Sequence, residues 1–366
     1  MKVCFTGGGT AGHIFPTLQV DDELLARSSS SAFAYERFWI GTKTDRDRGW
    51  LQEERMKTYF ISSGKLRRYR SFKNLTDVFK IIVAIFQSLI ILSKERPDVI
   101  FSKGGFVSVP PVVAGWILRI PMITHESDAS AGLATRINAR FVHYVCIPFE
   151  HAAPRLSPRY DAKLIVTGIP VRFSRERASA SIGREILGIE DEEPLVVVMG
   201  GSLGASRINE LVWNNLDKLT ETAFVYHLTG TATDHHPSHK RYASKDFLDE
   251  KLQDVLQAAT VVVSRAGATA IAELIELEKP MILIPLGTRA SRGDQILNAQ
   301  RLSAASAAVV LDESATDEQF VETVRHLLHN EDARNMLIRN TEQLHTRGAR
   351  SLIADLIVDI TSREGA

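Results

Sequence analysis

The sequence is poor in the features that mark disulfide-rich, nucleic-acid-binding and membrane-spanning proteins. Its two cysteines, Cys4 and Cys146, lie in apolar strand-like runs, so we expect reduced core residues and no disulfide framework. Its 44 basic side chains balance 44 acidic ones, which gives no argument for a nucleic-acid partner. The longest apolar run, from Ile81 to Leu92, contains Gln87 and Ser88 and is too short to span a bilayer. The N-terminus has the pattern of a strand and its loop, not of a secretory signal, so we expect a soluble or peripheral protein.

Repeated alternation of strand-like and helical segments predicts an α/β fold. A chain of 366 residues exceeds one ordinary core, which favours two domains. We expect two Rossmann-like domains facing each other across a cleft, over residues 1–166 and 167–345. Residues 346–366 have helical apolar spacing and are expected to pack back toward the N-terminal domain. The predicted strands are Lys2–Phe5, Arg37–Ile40, Thr58–Ile61, Val99–Ser102, Met122–Thr124, Val142–Ile147, Leu195–Met199, Phe224–Leu228, Thr260–Ser264, Met281–Ile284 and Ala308–Leu311.

A glycine-rich loop, Thr6 to His13, follows the first predicted strand. Glycines there let the backbone approach a ligand, and the start of the next helix offers N–H groups to an anion. The spacing meets the dinucleotide fingerprint only loosely, and a tight structural turn is the alternative. No acidic residue ends the second strand at residues 40–42, where a dinucleotide site needs one for its ribose. His13 points to proton transfer, because an imidazole titrates near neutral pH.

The second domain repeats this strand–glycine–helix pattern. Gly200 to Gly204 follow a predicted strand, and their N–H groups with the Ser202 hydroxyl suit a phosphate, although a structural turn fits equally well. Glu273 lies on the first turns of the helix after the strand Thr260–Ser264, where a carboxylate can accept both hydroxyls of a ribose or only favour the helix dipole. Gln295 and Asn298 share a helix face and offer amides to a nucleotide or to solvent.

Taken together, these motifs resemble the MurG family of GT-B glycosyltransferases. That bacterial family adds N-acetylglucosamine (GlcNAc) to the undecaprenyl-pyrophosphoryl-muramoyl-pentapeptide precursor of peptidoglycan. The resemblance implies a GT-B fold, UDP-GlcNAc as donor, an inverting transfer to a lipid acceptor, and no required cofactor or metal. The matching stretches run in family order across nearly the whole chain: Gly8–Pro16, Lys103–Pro110, His125–Leu133, Gly168–Arg172, Gly200–Ala205, Ser264–Glu273 and Asp294–Asn298.

The resemblance also implies roles for individual residues, most of them in the second domain. Glu273 would bind the ribose hydroxyls, Ser202 and Arg172 would meet the diphosphate, and the backbone of Leu248 would contact the uracil. The residues implied to line the nucleotide are Ala268, Thr269, Ala270, Ile271, Ala272 and Glu273. The residues implied to meet the sugar are Gln295 and Asn298 from the second domain and Thr10, Ala11, Gly12 and Asp128 from the first.

Three positions depart from the family pattern. Ala11 replaces the commoner glycine and adds a methyl group close to the sugar. Phe106 stands where many members have tyrosine, so no hydroxyl at this position is essential here. Asp128 replaces a frequent asparagine and exchanges an amide donor for a carboxylate.

An inverting transfer needs a general base, because the acceptor hydroxyl loses its proton as it displaces UDP. His13, Glu126 and Asp128 are the candidates, since all follow strand ends of the first domain. His13 is favoured for its working pKa range. For Glu126, orientation of His125 or of the loop backbone is the favoured alternative.

Residues 65–94 predict a membrane-contacting surface. Basic residues including Arg67 and Arg68 precede an apolar helix, a pattern that suits anionic lipid. A core helix beside a solvated basic loop is the alternative, and we expect one face to pack while the N-terminal end meets lipid. The expected apolar contacts are Phe79, Ile82, Val83 and Phe86. The expected location is the cytoplasmic face of the bacterial cell membrane, where other cell-wall synthesis proteins are candidate partners.

Three other functions remain open at this point. A GT-B transferase could use another lipid acceptor such as diacylglycerol. A UDP-GlcNAc epimerase would share the architecture and need no lipid. A nucleotide-sugar-binding protein docked at the membrane would have no use for an acceptor-side base.

Overall fold

The structure is a computed structural model that describes most of the chain. The described residues are 1–8, 11–30, 34–43, 49, 51, 55–62, 64, 73–150, 163–200, 205–230, 237–248, 251–287, 293–344 and 348–364. The chain divides into two compact units, residues 1–172 with 346–366, and residues 173–345. Residues 167–172, expected from the sequence in the second domain, therefore lie with the first unit.

Each unit is built on an all-parallel sheet of short, mostly buried strands. In the described part of the chain, the first sheet has seven strands in the order β3-β2-β1-β4-β5-β6-β7, and the second has six in the order β10-β9-β8-β11-β12-β13. The strands of the first sheet are β1 Lys2–Thr6, β2 Glu36–Gly41, β3 Lys57–Phe60, β4 Val99–Ser102, β5 Met122–His125, β6 Tyr144–Ile147 and β7 Leu164–Val166. Those of the second are β8 Leu195–Met199, β9 Phe224–Leu228, β10 Tyr242–Lys245, β11 Val261–Ser264, β12 Met281–Leu283 and β13 Val309–Val310.

Helices connect most of these parallel strands and cover both faces of each sheet. A short 3-10 helix, Phe106–Ser108, precedes α3. The helices are α1 Ala11–Ser30, α2 Lys73–Glu95, α3 Val109–Ile117, α4 Leu133–Asn138, α5 Ala180–Leu187, α6 Ser206–Asn214, α7 Leu216–Thr220, α8 Leu252–Ala258, α9 Ala268–Glu276, α10 Asp294–Ala304, α11 Asp317–His329, α12 Glu331–Glu342 and α13 Ala349–Glu364.

Side-chain alternation along the strands gives each unit an apolar cluster on either face of its sheet. In β1, Val3 and Phe5 pack into one cluster of the first unit, while Cys4 packs into the other. The second unit likewise has two clusters divided by the alternating residues of β8. Both cysteines are buried and unbridged.

The C-terminal helix α13 belongs to the first unit. Ile353 and Ile357 are fully buried in the cluster that also contains Ile14 and Leu24 of α1. An ion pair between Arg27 Nη1 and Asp355 Oδ1, at 2.6 Å, joins the two helices at their exposed edge. The chain therefore completes the core of its first unit with its last helix.

Two strands were absent from the sequence-based prediction, and both lie at sheet edges. β7 has only three residues, and β10 has the sequence YASK, with one buried residue. An edge strand needs less apolar sequence because one side is not covered by a neighbour. All eleven predicted strands are present, with ends that differ from the prediction by up to two residues.

A buried carboxylate at the carboxyl end of α2 joins this helix to the amino ends of β1 and β3 in the first unit. Glu95, at the end of α2, lies 2.7 Å from Lys2 Nζ and 2.7 Å from Lys57 Nζ and accepts a hydrogen bond from Tyr59. These donors lower the pKa of Glu95 to about 2. The folded state thus binds this proton less tightly than the unfolded state, so the carboxylate stabilises the fold above about pH 4.5 and less as the pH falls toward 2.

We expect Glu95→Gln to lower the free energy of unfolding by about 2 kcal/mol at pH 7. In urea titrations this difference should shrink between pH 4.5 and the lowest pH at which the fold persists. The matched control is Glu36→Gln, because Glu36 also faces Lys2, at 3.4 Å, but is 71% exposed. The Glu36→Gln substitution should lower the free energy of unfolding by roughly 0–1 kcal/mol. A pH-independent difference for Glu95→Gln would contradict the linkage.

Candidate active site

The order of strands in each sheet reverses once, and polar loops follow the strands at that point. In the first unit β1 pairs with both β2 and β4, and in the second β8 pairs with both β9 and β11. Open parallel sheets bind ligands outside the carboxyl ends of strands at such a switch point. The described segments after β1, β4 and β11 therefore lie where open parallel sheets commonly bind ligands, and residues 201–204, which follow β8, lie outside the described residues.

In the first unit, the loop after β1 packs against the turn Lys103–Gly105. The N–H of Lys103 donates to the carbonyl of Thr6 at 2.9 Å. Gly105 has φ +76°, and a Cβ there would lie 3.3 Å from the carbonyl oxygen of Gly8 and 3.5 Å from Nε2 of His13. Glycine is required by both the backbone angle and the close approach. The turn thus places the half-buried His13 imidazole, in the first turn of α1, at the edge of this loop.

Glu126 organises the segment Glu126–Gly132, which we name the acid loop. Its Oε1 accepts hydrogen bonds from the N–H groups of Ser127 and Asp128, at 2.9 and 3.1 Å. Its Oε2 accepts from the N–H of Gly132 at 3.0 Å and from the Thr135 hydroxyl at 2.6 Å. Both carboxylate oxygens are therefore engaged by the loop and by the first turns of α4, the arrangement expected of a residue that orients the loop backbone.

Two buried titratable residues at this site were not among the predicted site residues. Lys103 is 2% exposed and donates from Nζ to the Ser127 hydroxyl. Burial lowers the pKa of Lys103 to about 8, against the opposing charges of Glu126 and Asp128. Burial, with the Lys103 charge, holds the pKa of His125 well below its ordinary range. Position alone could have identified both residues, because one follows and the other ends a buried strand at the ligand-binding edge.

His125, the last residue of β5, forms a hydrogen bond to the segment that carries Arg172. Its Nε2 lies 2.8 Å from the carbonyl oxygen of Gly168, so a neutral imidazole donates its Nε2 proton there. Four residues on, the guanidinium carbon of Arg172 lies 4.9 Å from the ring centre of Phe15 in α1. That cation–π contact holds Arg172 over the first turns of α1, beside the glycine-rich loop.

In the second unit, β11 leads through residues 265–267 into α9. Arg265 is buried, donates to the carbonyl of Ile284 at 3.1 Å and pairs with Glu313 at 3.0 Å. Glu313 in turn accepts from the N–H of Gly287 at 3.0 Å. These contacts fix the turn before α9 and the segment after β12 relative to each other.

Glu273 lies in the second turn of α9 with 6% of its surface exposed. A carboxylate so buried must be hydrogen-bonded or charge-paired, so its position is sharply defined. Of the other predicted nucleotide-lining residues, Ile271 packs its side chain into the apolar core, while Ala268, Thr269, Ala270 and Ala272 are half-buried. Ile271 can therefore meet a nucleotide only through its backbone.

Gln295 and Asn298 each form a hydrogen bond to nearby backbone with one end of the side-chain amide. Gln295 Oε1 accepts from the N–H of Leu286 at 2.9 Å, and Asn298 Nδ2 donates to the carbonyl of Ala266 at 3.1 Å. Both side chains thus hold loops at the ligand-binding edge of the second sheet. Leu248 follows β10 and packs against the apolar core of this unit.

Several predicted site positions lie outside the described residues. They are Thr10, Ser202, Arg67 and Arg68, together with the side chain of Ala11, whose backbone begins α1. Gly12 lies in the first turn of α1.

Helix α2 exposes a row of large apolar side chains. Phe79 is 69%, Phe86 63% and Ile90 70% exposed, and Val78, Ile82 and Val83 are close to half exposed. The opposite face packs against the core through Ala84 and Leu92. An apolar face of this size is unusual for surface that only water contacts.

No described helix is long and apolar enough to cross a membrane. Within the same residues, no cluster of three or more His, Cys, Asp or Glu side chains is placed to hold a metal ion.

The comparison with protein families shows to which family the chain belongs. Residues 3–147 match the N-terminal domain of glycosyltransferase family 28, and residues 195–356 match its C-terminal domain. The chain belongs to glycosyltransferase family 28. The enzyme class expected from the sequence is thereby confirmed, as is the resemblance to the MurG family through the relatives that follow.

Curated relatives match this family 28 glycosyltransferase over almost its full length. The UDP-N-acetylglucosamine–N-acetylmuramyl-(pentapeptide) pyrophosphoryl-undecaprenol N-acetylglucosamine transferase of Clostridium botulinum is 36% identical over 98% of this chain and 99% of its own. The Clostridium kluyveri protein of the same name is 39% identical over 89% of this chain and 91% of its own.

Solved structures share the fold at lower identity. Acinetobacter baumannii MurG aligns with a TM-score of 0.74 and 23% identity, covering 98% of this chain and 99% of its own. A UDP-GlcNAc 2-epimerase from Neisseria meningitidis, bound to UDP-GlcNAc, aligns with a TM-score of 0.69 and 12% identity, covering 98% and 100%. The predicted pair of Rossmann-like, parallel-sheet domains of GT-B type is confirmed.

Proposed function

We propose that this family 28 enzyme transfers GlcNAc from UDP-GlcNAc to undecaprenyl-pyrophosphoryl-MurNAc-pentapeptide, converting lipid I to lipid II in peptidoglycan synthesis. The observation that carries the proposal is the similarity to transferases of that name over 98% of the chain at 36% identity. The geometry at both sheet edges supports it, since each unit presents glycine turns and buried polar groups at its switch point.

The reaction is a single displacement with inversion at the anomeric carbon of GlcNAc. The muramoyl hydroxyl oxygen attacks that carbon, the bond from the carbon to the diphosphate oxygen breaks, and UDP leaves. His13 accepts the hydroxyl proton as the new bond forms. Its imidazole is half-buried beside the Lys103–Gly105 turn, where Nε2 lies 3.5 Å from the position that a Cβ on Gly105 would occupy.

The other two base candidates have positioning roles in this proposal. Glu126 accepts four hydrogen bonds from the acid loop and α4, so it orients the loop. Asp128, whose N–H is held by that carboxylate, contacts the sugar.

The second unit binds the donor. Glu273 accepts the two ribose hydroxyls, and the first turns of α9 line the nucleotide from Ala268 to Glu273. The backbone at Leu248 meets the uracil, and Gln295 and Asn298 hold the sugar hydroxyls through the ends of their amides that the backbone does not use. In the first unit, the proposed sugar contacts are Thr10, Ala11 and Gly12.

The leaving diphosphate needs positive charge or N–H donors. Arg172 supplies a guanidinium that Phe15 already holds in place, and Ser202 with the helix starts supplies hydroxyl and N–H groups. The mechanism contains no metal step, so turnover should persist with a chelator.

The enzyme would meet its lipid acceptor through the exposed face of α2, as a peripheral protein at the cytoplasmic face of the cell membrane. Phe79, Ile82, Val83 and Phe86 would enter the interface, with Arg67 and Arg68 facing anionic headgroups. Each buried phenylalanine contributes about 1.5–3 kcal/mol, and each basic residue near the surface about 1 kcal/mol. Other cell-wall synthesis proteins at the same surface are candidate partners.

We expect the double substitution of Phe79 and Phe86 with glutamate to reduce binding to anionic vesicles at least roughly tenfold, because two apolar anchors become charged. Sedimentation with phosphatidylglycerol vesicles measures this binding. Met336→Glu, which changes a 47% exposed apolar residue on α12, is the matched control and should bind as the unmodified protein does. Equal binding of the double variant would exclude α2 as the lipid-contacting surface.

The identity of the acceptor is tested with a panel of candidate lipids. UDP-GlcNAc is offered with the undecaprenyl-linked muramoyl-pentapeptide, with diacylglycerol or with no lipid, each with and without chelator. The proposal predicts UDP release only with the muramoyl lipid, in both chelator conditions. Turnover with diacylglycerol would identify a different lipid acceptor. Conversion of UDP-GlcNAc to another UDP-sugar without lipid, and without net release of UDP, would favour an epimerase.

A further inference from the structure

Lys103 is a buried lysine at the ligand-binding edge for which the proposed reaction gives no role. It follows β4 at the switch point of the first sheet, with 2% of its surface exposed. Burying an ammonium group is costly unless it is paired and hydrogen-bonded. A lysine kept in such a place needs a reason beyond packing.

Lys103 contacts two segments that carry proposed site residues, the glycine-rich loop and the acid loop. Its backbone N–H donates to the carbonyl of Thr6, at the start of the glycine-rich loop, at 2.9 Å. Its Cβ lies 3.4 Å from the position that a Cβ on Gly7 would occupy, so the loop rests directly on it. Its Nζ donates to the hydroxyl of Ser127 in the acid loop.

We propose that Lys103 is a positioning residue whose buried ammonium group holds the acid loop against the glycine-rich loop and so fixes Asp128 relative to His13. The inference rests on the proposed function only for the roles of those two residues. Lys103 itself does not touch the reacting atoms.

The charge of Lys103 is matched by the groups around it. The titratable residues that face it are Glu126 and Asp128 of the acid loop, His125 of β5, Cys146 of β6 and, across the glycine turn, His13 of α1. The two carboxylates favour the ammonium form. The ammonium in turn favours a neutral His125, whose Nε2 proton is then donated to Gly168.

A pH dependence follows from the position of this lysine. Burial lowers the pKa of Lys103 to about 8. Below that pH the ammonium holds Ser127, and above it the neutral amine no longer attracts Glu126 and Asp128 of the acid loop. Turnover should therefore decline as the pH rises through about 8.

The main test compares Lys103→Met with Lys103→Arg from pH 6 to 10. Misplacing a reacting group by about 1 Å can cost roughly 100-fold, so we expect Lys103→Met to lower kcat about 10- to 100-fold, with the KM for UDP-GlcNAc within about threefold. The decline near pH 8 should be absent from this variant. Lys103→Arg keeps a permanent charge and should recover part of kcat without that decline.

A second buried lysine supplies the matched control. Lys279 of the second unit also has its pKa lowered to about 8 by burial, but its Nζ donates to the carbonyls of Gln257 and Ala259 at 2.6 and 3.3 Å. Lys279→Met should keep kcat and the decline near pH 8. Ser127→Ala, which removes the hydroxyl and leaves the ammonium, should move the decline to lower pH.

Hydrogen exchange of residues 126–132 tests the same inference without any substrate. The N–H groups of Ser127, Asp128 and Gly132 should exchange faster in Lys103→Met and unchanged in Lys279→Met. Unaltered kcat, pH profile and exchange in Lys103→Met would overturn the inference. If the unmodified enzyme shows no transferase activity, the proposed function fails, and the exchange result alone decides whether Lys103 holds the acid loop.

Discussion

Replacing His13 with alanine should lower kcat by about 100- to 10,000-fold while leaving the affinity for UDP nearly unchanged. The muramoyl hydroxyl is a weak nucleophile until a base takes its proton, and in the proposed reaction His13 is that base. The imidazole belongs to the first unit, beside Gly105, whereas the proposed uridine contacts belong to the second. The loss should therefore appear in turnover and not in nucleotide binding.

Two comparisons separate this role from a general loss of structure. His329→Ala changes an exposed histidine on α11 and should leave kcat unchanged. Asp128→Asn keeps the size of the side chain and removes its basicity, so it should retain most of the turnover if His13 is the base. Full turnover in His13→Ala, with a large loss in Asp128→Asn, would transfer the role of base to Asp128.

Replacing Glu273 with glutamine should weaken UDP binding about 10- to 100-fold. Hydrogen bonds to a charged group contribute about 1.5–3 kcal/mol, and this carboxylate is proposed to accept two of them from the ribose. Since Glu273 is 6% exposed, little water is present to replace them. Isothermal titration with UDP measures the effect.

The contribution of the ribose contact to binding is measured by changing both the protein and the nucleotide. The unmodified enzyme should bind 2′-deoxy-UDP more weakly than UDP, whereas Glu273→Gln should show little further loss with the deoxy nucleotide. Glu276→Gln, one turn further along α9, serves as the control. An equal loss with 2′-deoxy-UDP in all three proteins would show that Glu273 does not meet the 2′-hydroxyl.

Periodicity and glycine placement were sufficient to predict the two parallel sheets. Strands such as β4 and β8 are buried on both faces, so each appears as a short continuous apolar run. The edge strands β7 and β10 escaped prediction because their sequences are short or polar. The division at Arg172 depends on tertiary contacts, such as His125 with Gly168, that no local pattern encodes.

The candidate site was less predictable than the fold. The order of the motifs identifies the loops of the candidate site, but not which of their side chains are available to a ligand. Gln295, Asn298 and Glu126 use much of their hydrogen-bonding capacity on nearby backbone, and only the fold shows this. The position of Lys103 after β4 places it at the edge of the site, but its burial is not evident from the sequence, because a lysine at a strand end is usually exposed, whereas here the glycine-rich loop covers it.

The central claim is most directly tested by the structure of the product. The enzyme is incubated with UDP-GlcNAc and the undecaprenyl-linked muramoyl-pentapeptide, and the lipid is isolated for mass spectrometry and for NMR of its anomeric proton. The account predicts one added N-acetylhexosamine in β linkage to the muramoyl sugar, because a single displacement inverts the α configuration of the donor. An α linkage, or an unmodified lipid accompanied by an epimerised nucleotide sugar, would contradict it.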